Sequence, residues 1–237
     1  MKPVAIFRHL VTEGPGYFAT YLERHGVPWR LVKIDEGDAV PRDAGAYGGI
    51  GFMGGPMSVN DELPWIRDEL DLICRAVEDD VPVIGHCLGG QLMSKALGGA
   101  VTRNAVKEIG WGDVHVVDGE AADRWFEGIE RTFPAFHWHG ETFSIPPGGV
   151  RVLSSAHCEN QAFALGKHFG MQCHVEMTPQ LVNDWCRDWG KEVDRLAARV
   201  PSVQTPKEMT ADLDARIDAL HRIADAIYAE WIKGLRP

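Results

Sequence analysis

The stretch Val81-Pro-Val-Ile-Gly-His-Cys-Leu-Gly-Gly-Gln91 decides how the rest of the chain is read. A short apolar run ends at Gly85, a cysteine follows two residues later, and Gly89 and Gly90 stand where a helix begins. This is the spacing of a nucleophile elbow, G-x-C-x-G, with sulfur where serine oxygen is more usual. A nucleophile on a tight strand-to-helix turn is held clear of the backbone, often in strained φ/ψ. Side chains beside it would clash, so glycines flank it. The following helix aims free N–H groups and the positive end of its dipole at the sulfur, and both favour thiolate over thiol. A free cysteine beside a glycine-rich turn is otherwise buried and inert. Cys87 therefore needs partners from elsewhere in the chain to count as a nucleophile.

Around the elbow, apolar runs alternate with helix-period stretches. Val4 to Phe7 reads as a strand, Tyr17 to His25 as a helix closed by Gly26, Trp29 to Ile34 as a second strand and Gly49 to Met53 as a third. Leu63, Ile66, Leu70, Ile73 and Val77 then fall at spacings of three and four, the pattern of one buried helical face. Val81 to Ile84 is the fourth strand and Gln91 to Leu97 the helix after the elbow. This alternation predicts an α/β fold with a central, mostly parallel sheet and helices on both faces. The elbow falls at the carboxyl end of a central strand, where open α/β sheets place their sites. From Glu108 to Met177 the chain is rich in short β-like pieces (Gly112 to Val117, Ala135 to Phe143, Arg151 to Ser155, Gln161 to Leu165, Gly170 to His174), expected as antiparallel additions to the sheet. Gln180 to Val200 reads as helical.

Val200-Pro-Ser-Val-Gln-Thr-Pro206 reads as a linker. After it, Leu213, Ile217, Leu220, Ala224, Ile227 and Trp231 form an amphipathic stripe, with Thr210 as cap. The division expected is residues 1–199 as the main domain and 200–237 as a linker plus a helix packed back on it, the alternative being an interface for a partner chain.

A chain of 237 residues fits one large α/β domain or one domain with an extension. Its formal net charge of −10 argues against a nucleic-acid backbone or an anionic membrane as main partner. No stretch approaches the length of a membrane span, and the N-terminus is charged too soon for a signal peptide. Five cysteines at irregular spacings, with no C-x-x-C, predict reduced thiols and a cytoplasmic protein. His137, His139, Cys158, Cys173 and His174 fit no familiar zinc spacing, so no metal is expected.

A cysteine nucleophile requires a base, a group that orients the base, and donors for an oxyanion. In Gly170-Met-Gln-Cys-His-Val-Glu176, His174 and Glu176 lie two apart in a strand-like run and would share one face. Glu176 can then fix the imidazole tautomer and leave the other nitrogen for Cys87. Met53-Gly54-Gly55-Pro56-Met57-Ser58 follows the third strand, beside the elbow. The N–H groups of Gly55 and Leu88 are candidates to cradle a developing O⁻. His86, next to Cys87, points away and reads as packing.

Taken together, Gly54-Gly55-Pro56, Gly85-His-Cys87-Leu-Gly-Gly-Gln91 and Gly170-Met-Gln-Cys-His174-Val-Glu176, in this order, resemble class I (triad) glutamine amidotransferases. Trp138-His-Gly-Glu-Thr-Phe143 and Asn160-Gln-Ala-Phe163 resemble the GMP-synthase-like branch. The resemblance covers roughly residues 1 to 190. It implies a flavodoxin-like amidotransferase fold, a Cys87–His174–Glu176 triad and oxyanion donors at Gly55 and Leu88. It further implies that Gln91 and the Trp138-His139 backbone hold the substrate. The reaction implied is hydrolysis of the glutamine γ-amide through a cysteine thioester, with no cofactor. Two positions depart from the pattern: Val175 replaces the usual proline between base and orienter, and Glu141 stands where related synthases tend to have aspartate. The residues after Val200 are too few for an ATP-pyrophosphatase domain, so the ammonia would go to a separate synthetase subunit. The alternative is a γ-glutamyl peptide or γ-glutamyl amine hydrolase with the same triad. A non-catalytic regulatory subunit and a cysteine α/β-hydrolase fit less of the pattern. A homo-oligomer is compatible with all of these.

Overall fold

A computed structural model describes residues 1–237. Its centre is one nine-stranded sheet. Strands β1 (Val4–Arg8), β2 (Trp29–Lys33), β3 (Gly49–Phe52), β4 (Val83–His86) and β9 (His168–Met171) run parallel in the order β2-β1-β3-β4-β9. Beyond β9 the sheet continues antiparallel through β8 (Ala162–Leu165), β7 (Val150–Ser155), β5 (Val101–Val116) and β6 (Thr132–Phe143). This is the flavodoxin-like α/β arrangement with antiparallel additions that the sequence predicts.

Helices cover both faces and divide the core in two. On one face α2 (Pro64–Glu78) and α3 (Leu88–Ala96) bury Ile66, Leu72, Ile73, Leu92 and Met93 against Phe7, Phe52 and Val83. On the other, α1 (Gly16–Arg24), α4 (Glu120–Trp125), α5 (Pro179–Ala197) and α7 (Leu213–Ile232) bury Phe18, Trp125, Trp185, Tyr228 and Trp231. Local chemistry sets the helix starts. Pro64 and Pro179 stand in the first turns of α2 and α5, where proline's missing N–H costs no bond. Thr178 caps α5 by accepting the Leu181 N–H, and Thr205 with Glu208 forms a capping box on the short α6 (Pro206–Met209).

The structure departs from the sequence reading in four places. The buried side of α2 is Ile66, Glu69, Leu72, Ile73 and Ala76, with Leu63, Leu70 and Val77 only half-buried, so the stripe is rotated toward a carboxylate that apolar counting ignores. Strand β5 starts at Val101 rather than Gly112, and a register shift between Arg103 and Glu108 breaks the alternation of its polar first half. The 200–206 segment is fastened rather than loose: Val203 pairs with Ile109, and Gln204 exchanges hydrogen bonds with the Trp111 backbone. Thr210 closes α6, and α7 starts from Asp212, in left-handed backbone with no side-chain cap. No helix is long and apolar enough to cross a membrane.

Candidate active site

The elbow forms where β4 passes into α3. Cys87 has φ +50° and ψ −106°, a conformation outside the ordinary wells that costs ~1–3 kcal/mol. Two backbone bonds hold it there: Cys87 N–H donates to Met171 O (2.8 Å), and Gln91 N–H donates to Cys87 O (3.0 Å). The flanking glycines answer to close backbone packing. A Cβ on Gly89 would strike the Phe52 carbonyl of β3, and one on Gly90 the Met171 backbone of β9. The first turn of α3 is thus wedged between two strands, and its N-terminus faces the sulfur.

Strand β9 ends at Met171, the residue that pairs with His86. The chain then leaves the strand, and His174 is pinned by a single bridge to β6, its N–H donating to Phe136 O (2.8 Å). Glu176 lies two residues on, in a bent segment rather than the strand the sequence predicts. His174 Nδ1 is 2.6 Å from Glu176 Oε1, and both side chains are buried. Burial on its own would lower the His174 pKa, but Glu176 and Cys87 beside it raise it well above the usual imidazole range. Burial would raise the Glu176 carboxyl, yet His174 and His86 hold it below the ordinary value. His174 Nε2 is buried without a hydrogen-bond partner and is the nitrogen left for a reacting group. Trp185 closes edge-on over the imidazole, with ring centroids 5.0 Å apart.

Cys87, His174, Gly55, Gln91, Trp138 and His139 all line one cavity of about 500 Å³. Leu88 is the first residue of α3, and its side chain packs where a Gly55 Cβ would be (2.6 Å). The Trp138 carbonyl is 3.9 Å from Cys87 Sγ. Glu176 stands behind His174, out of the cavity. His86 is fully buried, 3.0 Å from Tyr228 Oη and 4.0 Å from Glu176 Oε2.

Several residues at the site carry no sequence signal. Gln172 Nε2 donates to Cys87 Sγ (3.4 Å), while its Oε1 accepts from Gln91 Nε2 (3.0 Å). Glu13, in the loop after β1, and Trp185 and Trp189, on α5, also line the cavity. A loop at the carboxyl end of a strand was the available hint for Glu13. Beneath the Gly54-Gly55 turn, His9 Nε2 is 3.1 Å from Glu69 Oε2 and His9 Nδ1 is 3.2 Å from Gly54 O. The Nδ1–H donates to the Gly54 carbonyl, and Nε2 and the Glu69 carboxyl share a proton between them. Burial would lower the His9 pKa, but Glu69 keeps it raised, and burial raises the Glu69 carboxyl as well.

Glu108, His137 and His139 each bring a potential ligand atom within 4.8 Å of the others. The Gln161 amide occupies their midst: Nε2 is 2.9 Å from Glu108 Oε2, 3.1 Å from Ser155 Oγ and 3.3 Å from His137 Nδ1. A neutral donor sits where a cation would. His139 also reaches Glu141 O (2.9 Å) and Glu108 Oε2 (3.0 Å), so this cluster braces β6 behind the cavity.

Residues 17–186 match the family model described as glutamine amidotransferase class-I. The chain belongs to this family. It is 29% identical over 180 residues to the glutamine amidotransferase-like protein YfeJ of Salmonella typhimurium, spanning 73% of this chain and 75% of that one. It is 31% identical over 174 residues to the glutamine-hydrolyzing GMP synthase of Bacillus pumilus, spanning 72% of this chain but only 31% of that one. It therefore corresponds to about a third of the GMP synthase. A glutamine amido transferase from Methylobacillus flagellatus superimposes with a TM-score of 0.96 at 44% identity, over 100% of this chain and 96% of that one.

Proposed function

We propose that this protein hydrolyses the γ-carboxamide of glutamine to glutamate and ammonia through a thioester on Cys87. The observation that carries the reading is the buried His174–Glu176 pair, 2.6 Å apart, at the same cavity as a cysteine in strained backbone. The Cys87 thiol gives its proton to His174 Nε2, and the sulfur attacks the amide carbon. The oxyanion rests on the N–H groups of Gly55 and Leu88. Collapse breaks the C–N bond as His174 returns the proton to the leaving nitrogen. His174 then takes a proton from water, hydroxide displaces the sulfur, and glutamate departs. Glu176 keeps the imidazole oriented and balances its charge. Gln91 and the Trp138-His139 backbone hold the glutamyl group. The matched third of the Bacillus pumilus GMP synthase supports a role as ammonia source for a synthetase on another chain.

A second reading keeps the chemistry and changes the leaving group. Arg103 and Lys107 line the same cavity, and neither side chain pairs with a carboxylate. They suit a γ-glutamyl peptide whose far end carries a carboxylate.

The test is to incubate the protein with a glutamine-analogue alkylator and find the labelled residue by mass spectrometry, then compare turnover of glutamine and a γ-glutamyl dipeptide. Label on Cys87, with no ammonia released by Cys87→Ala, is expected. Glu176→Gln should retain more activity than Cys87→Ala. Full glutaminase activity in Cys87→Ala rules the reading out.

A further inference from the structure

Glu13 carries a carboxyl that the scheme above leaves idle. It is 8% exposed and lines the cavity shared with Cys87 and His174. No protein group hydrogen-bonds it, although a buried carboxyl without a partner is costly. Room is made for it by an absent side chain. A Cβ on Gly54 would collide with Glu13 Oε2 and lie 3.3 Å from His174 Cε1, so the carboxyl and the imidazole edge overhang the same glycine. The groups facing Glu13 are His174 and Glu176 from the segment after β9 and His9 from the end of β1. Burial, with Glu176 nearby, raises its carboxyl to about 7 against the pull of the His174 and His9 imidazoles. The Trp185 indole N–H donates to Thr12 O (2.7 Å), which ties α5 to this loop and closes the far side.

The side of the cavity matters. His174 hands its proton to the departing nitrogen, so that nitrogen leaves beside the imidazole, where Glu13 waits. The geometry points to Glu13 as an ammonium subsite on the leaving-group side of Cys87, which holds the released amine and admits an amine in place of water. This rests on the thioester reading. It gives the chain a second activity, γ-glutamyl transfer to small primary amines. A bound ammonium yields one proton to the Glu13 carboxylate and attacks the thioester carbonyl as free amine. A C–N bond forms, the C–S bond breaks with its electron pair going to sulfur, and the amine's second proton passes to His174. The product is a γ-glutamyl amide.

The experiment loads the wild-type protein with γ-glutamyl p-nitroanilide and adds methylamine. The ratio of γ-glutamyl methylamide to glutamate is measured by mass spectrometry. Because both products come from one thioester, loading cancels from the ratio. The ratio should saturate with methylamine in the wild type and fall about tenfold in Glu13→Gln, as expected for one lost contact to a charged group. Glu13→Asp, which keeps the carboxylate, should recover much of it and serves as well if Glu13→Gln folds poorly. Equal ratios in wild type and Glu13→Gln overturn the subsite, as does hydrolysis with no methylamide at any concentration. An equal ratio combined with a raised KM for glutamine, but not for its des-amino analogue, would reassign Glu13 to the substrate α-ammonium and also overturn it. Absence of both p-nitroaniline and acyl-enzyme in the wild type would instead overturn the thioester reading.

Discussion

His9 Nδ1 lies 3.2 Å from the Gly54 carbonyl oxygen, and the same ring is paired through Nε2 with the buried Glu69. In a trans peptide the C=O and the following N–H point in opposite directions. Holding the Gly54 carbonyl on His9 therefore turns the Gly55 N–H away from the buried side. The hydrogen-bonded His9–Glu69 pair beneath the turn sets the direction of a proposed oxyanion donor. His9→Phe should lower kcat by ~10²–10³, the effect of losing one such donor, with a smaller change in KM. It also leaves the buried Glu69 carboxyl without a partner, at ~1–3 kcal/mol. His9→Phe with Glu69→Leu removes that stranded carboxyl, so folding should recover while kcat stays low. Recovery of kcat along with stability would show that the pair only supports the fold.

Cys87 trades stability for presentation of its sulfur. Its φ of +50° suits glycine better than any side chain. Cys87→Gly should relieve ~1–3 kcal/mol of backbone strain, less the packing of a small buried thiol, while abolishing turnover. Urea unfolding of Cys87→Gly against Cys87→Ala measures the strain, less the ~0.4–1 kcal/mol of unfolded-chain entropy that glycine adds, since both lack the sulfur. Cys87→Gly less stable than Cys87→Ala by that entropy term would mean the elbow stores none.

What the sequence discloses here is whatever depends on neighbours in the chain. The elbow, the His174–Glu176 spacing and the Gly54-Gly55 turn are local patterns, and each lands at the cavity. The parallel strands read out as apolar runs for the same reason. Glu13, Gln172, His9 and Glu69 stay silent because their roles come from contacts across the sheet: Glu69 sits 60 positions from His9, and Gln172 85 from Cys87. A buried glutamate on a helix reads as a solvated one until its partner is known. Strand β5 was hidden by its shift in register, and the fastening of the 200–206 segment by partners nearly a hundred residues away.

His168 predicts how the fold responds to acid. Its Nδ1 accepts the Val83 N–H at 3.2 Å. Burial, with Lys167 nearby, lowers its pKa to about 4. The folded pKa lies below the unfolded value, so between about 6.5 and about 4 only the unfolded state takes up the proton. The stabilisation is fully present above that window and is lost as pH falls through it, at ~1.4 kcal/mol per pH unit. His168→Asn keeps an acceptor at the same place without the titration. The stability difference between wild type and His168→Asn should stay flat above about 6.5 and shift against the wild type below it. A difference independent of pH would show that His168 titrates normally in the folded protein.

The C-terminal helix braces the proposed base from behind. Tyr228 Oη is 3.0 Å from His86 Nε2, and His86 in turn faces Glu176 Oε2 at 4.0 Å. His221, stacked on Tyr17, lies 2.8 Å through Nε2 from Met177 O, and Tyr17 N–H donates to Glu176 O (2.8 Å). Segment 174–177 is thus gripped by α1 and α7 together, with Tyr228 and Trp231 fully buried against Phe18. Trp231→Ala should destabilise by ~3–5 kcal/mol as a large-to-small core change. Tyr228→Phe keeps the packing and strands His86 Nε2, at ~1–3 kcal/mol. It should also lower kcat by a few-fold, because the carboxylate that orients His174 loses part of its support. Removing residues 213–237 exposes that whole apolar face and should leave no cooperative melt. A truncated chain with the wild-type Tm and turnover would mean that α7 is an appendage and that the site is held from the sheet alone.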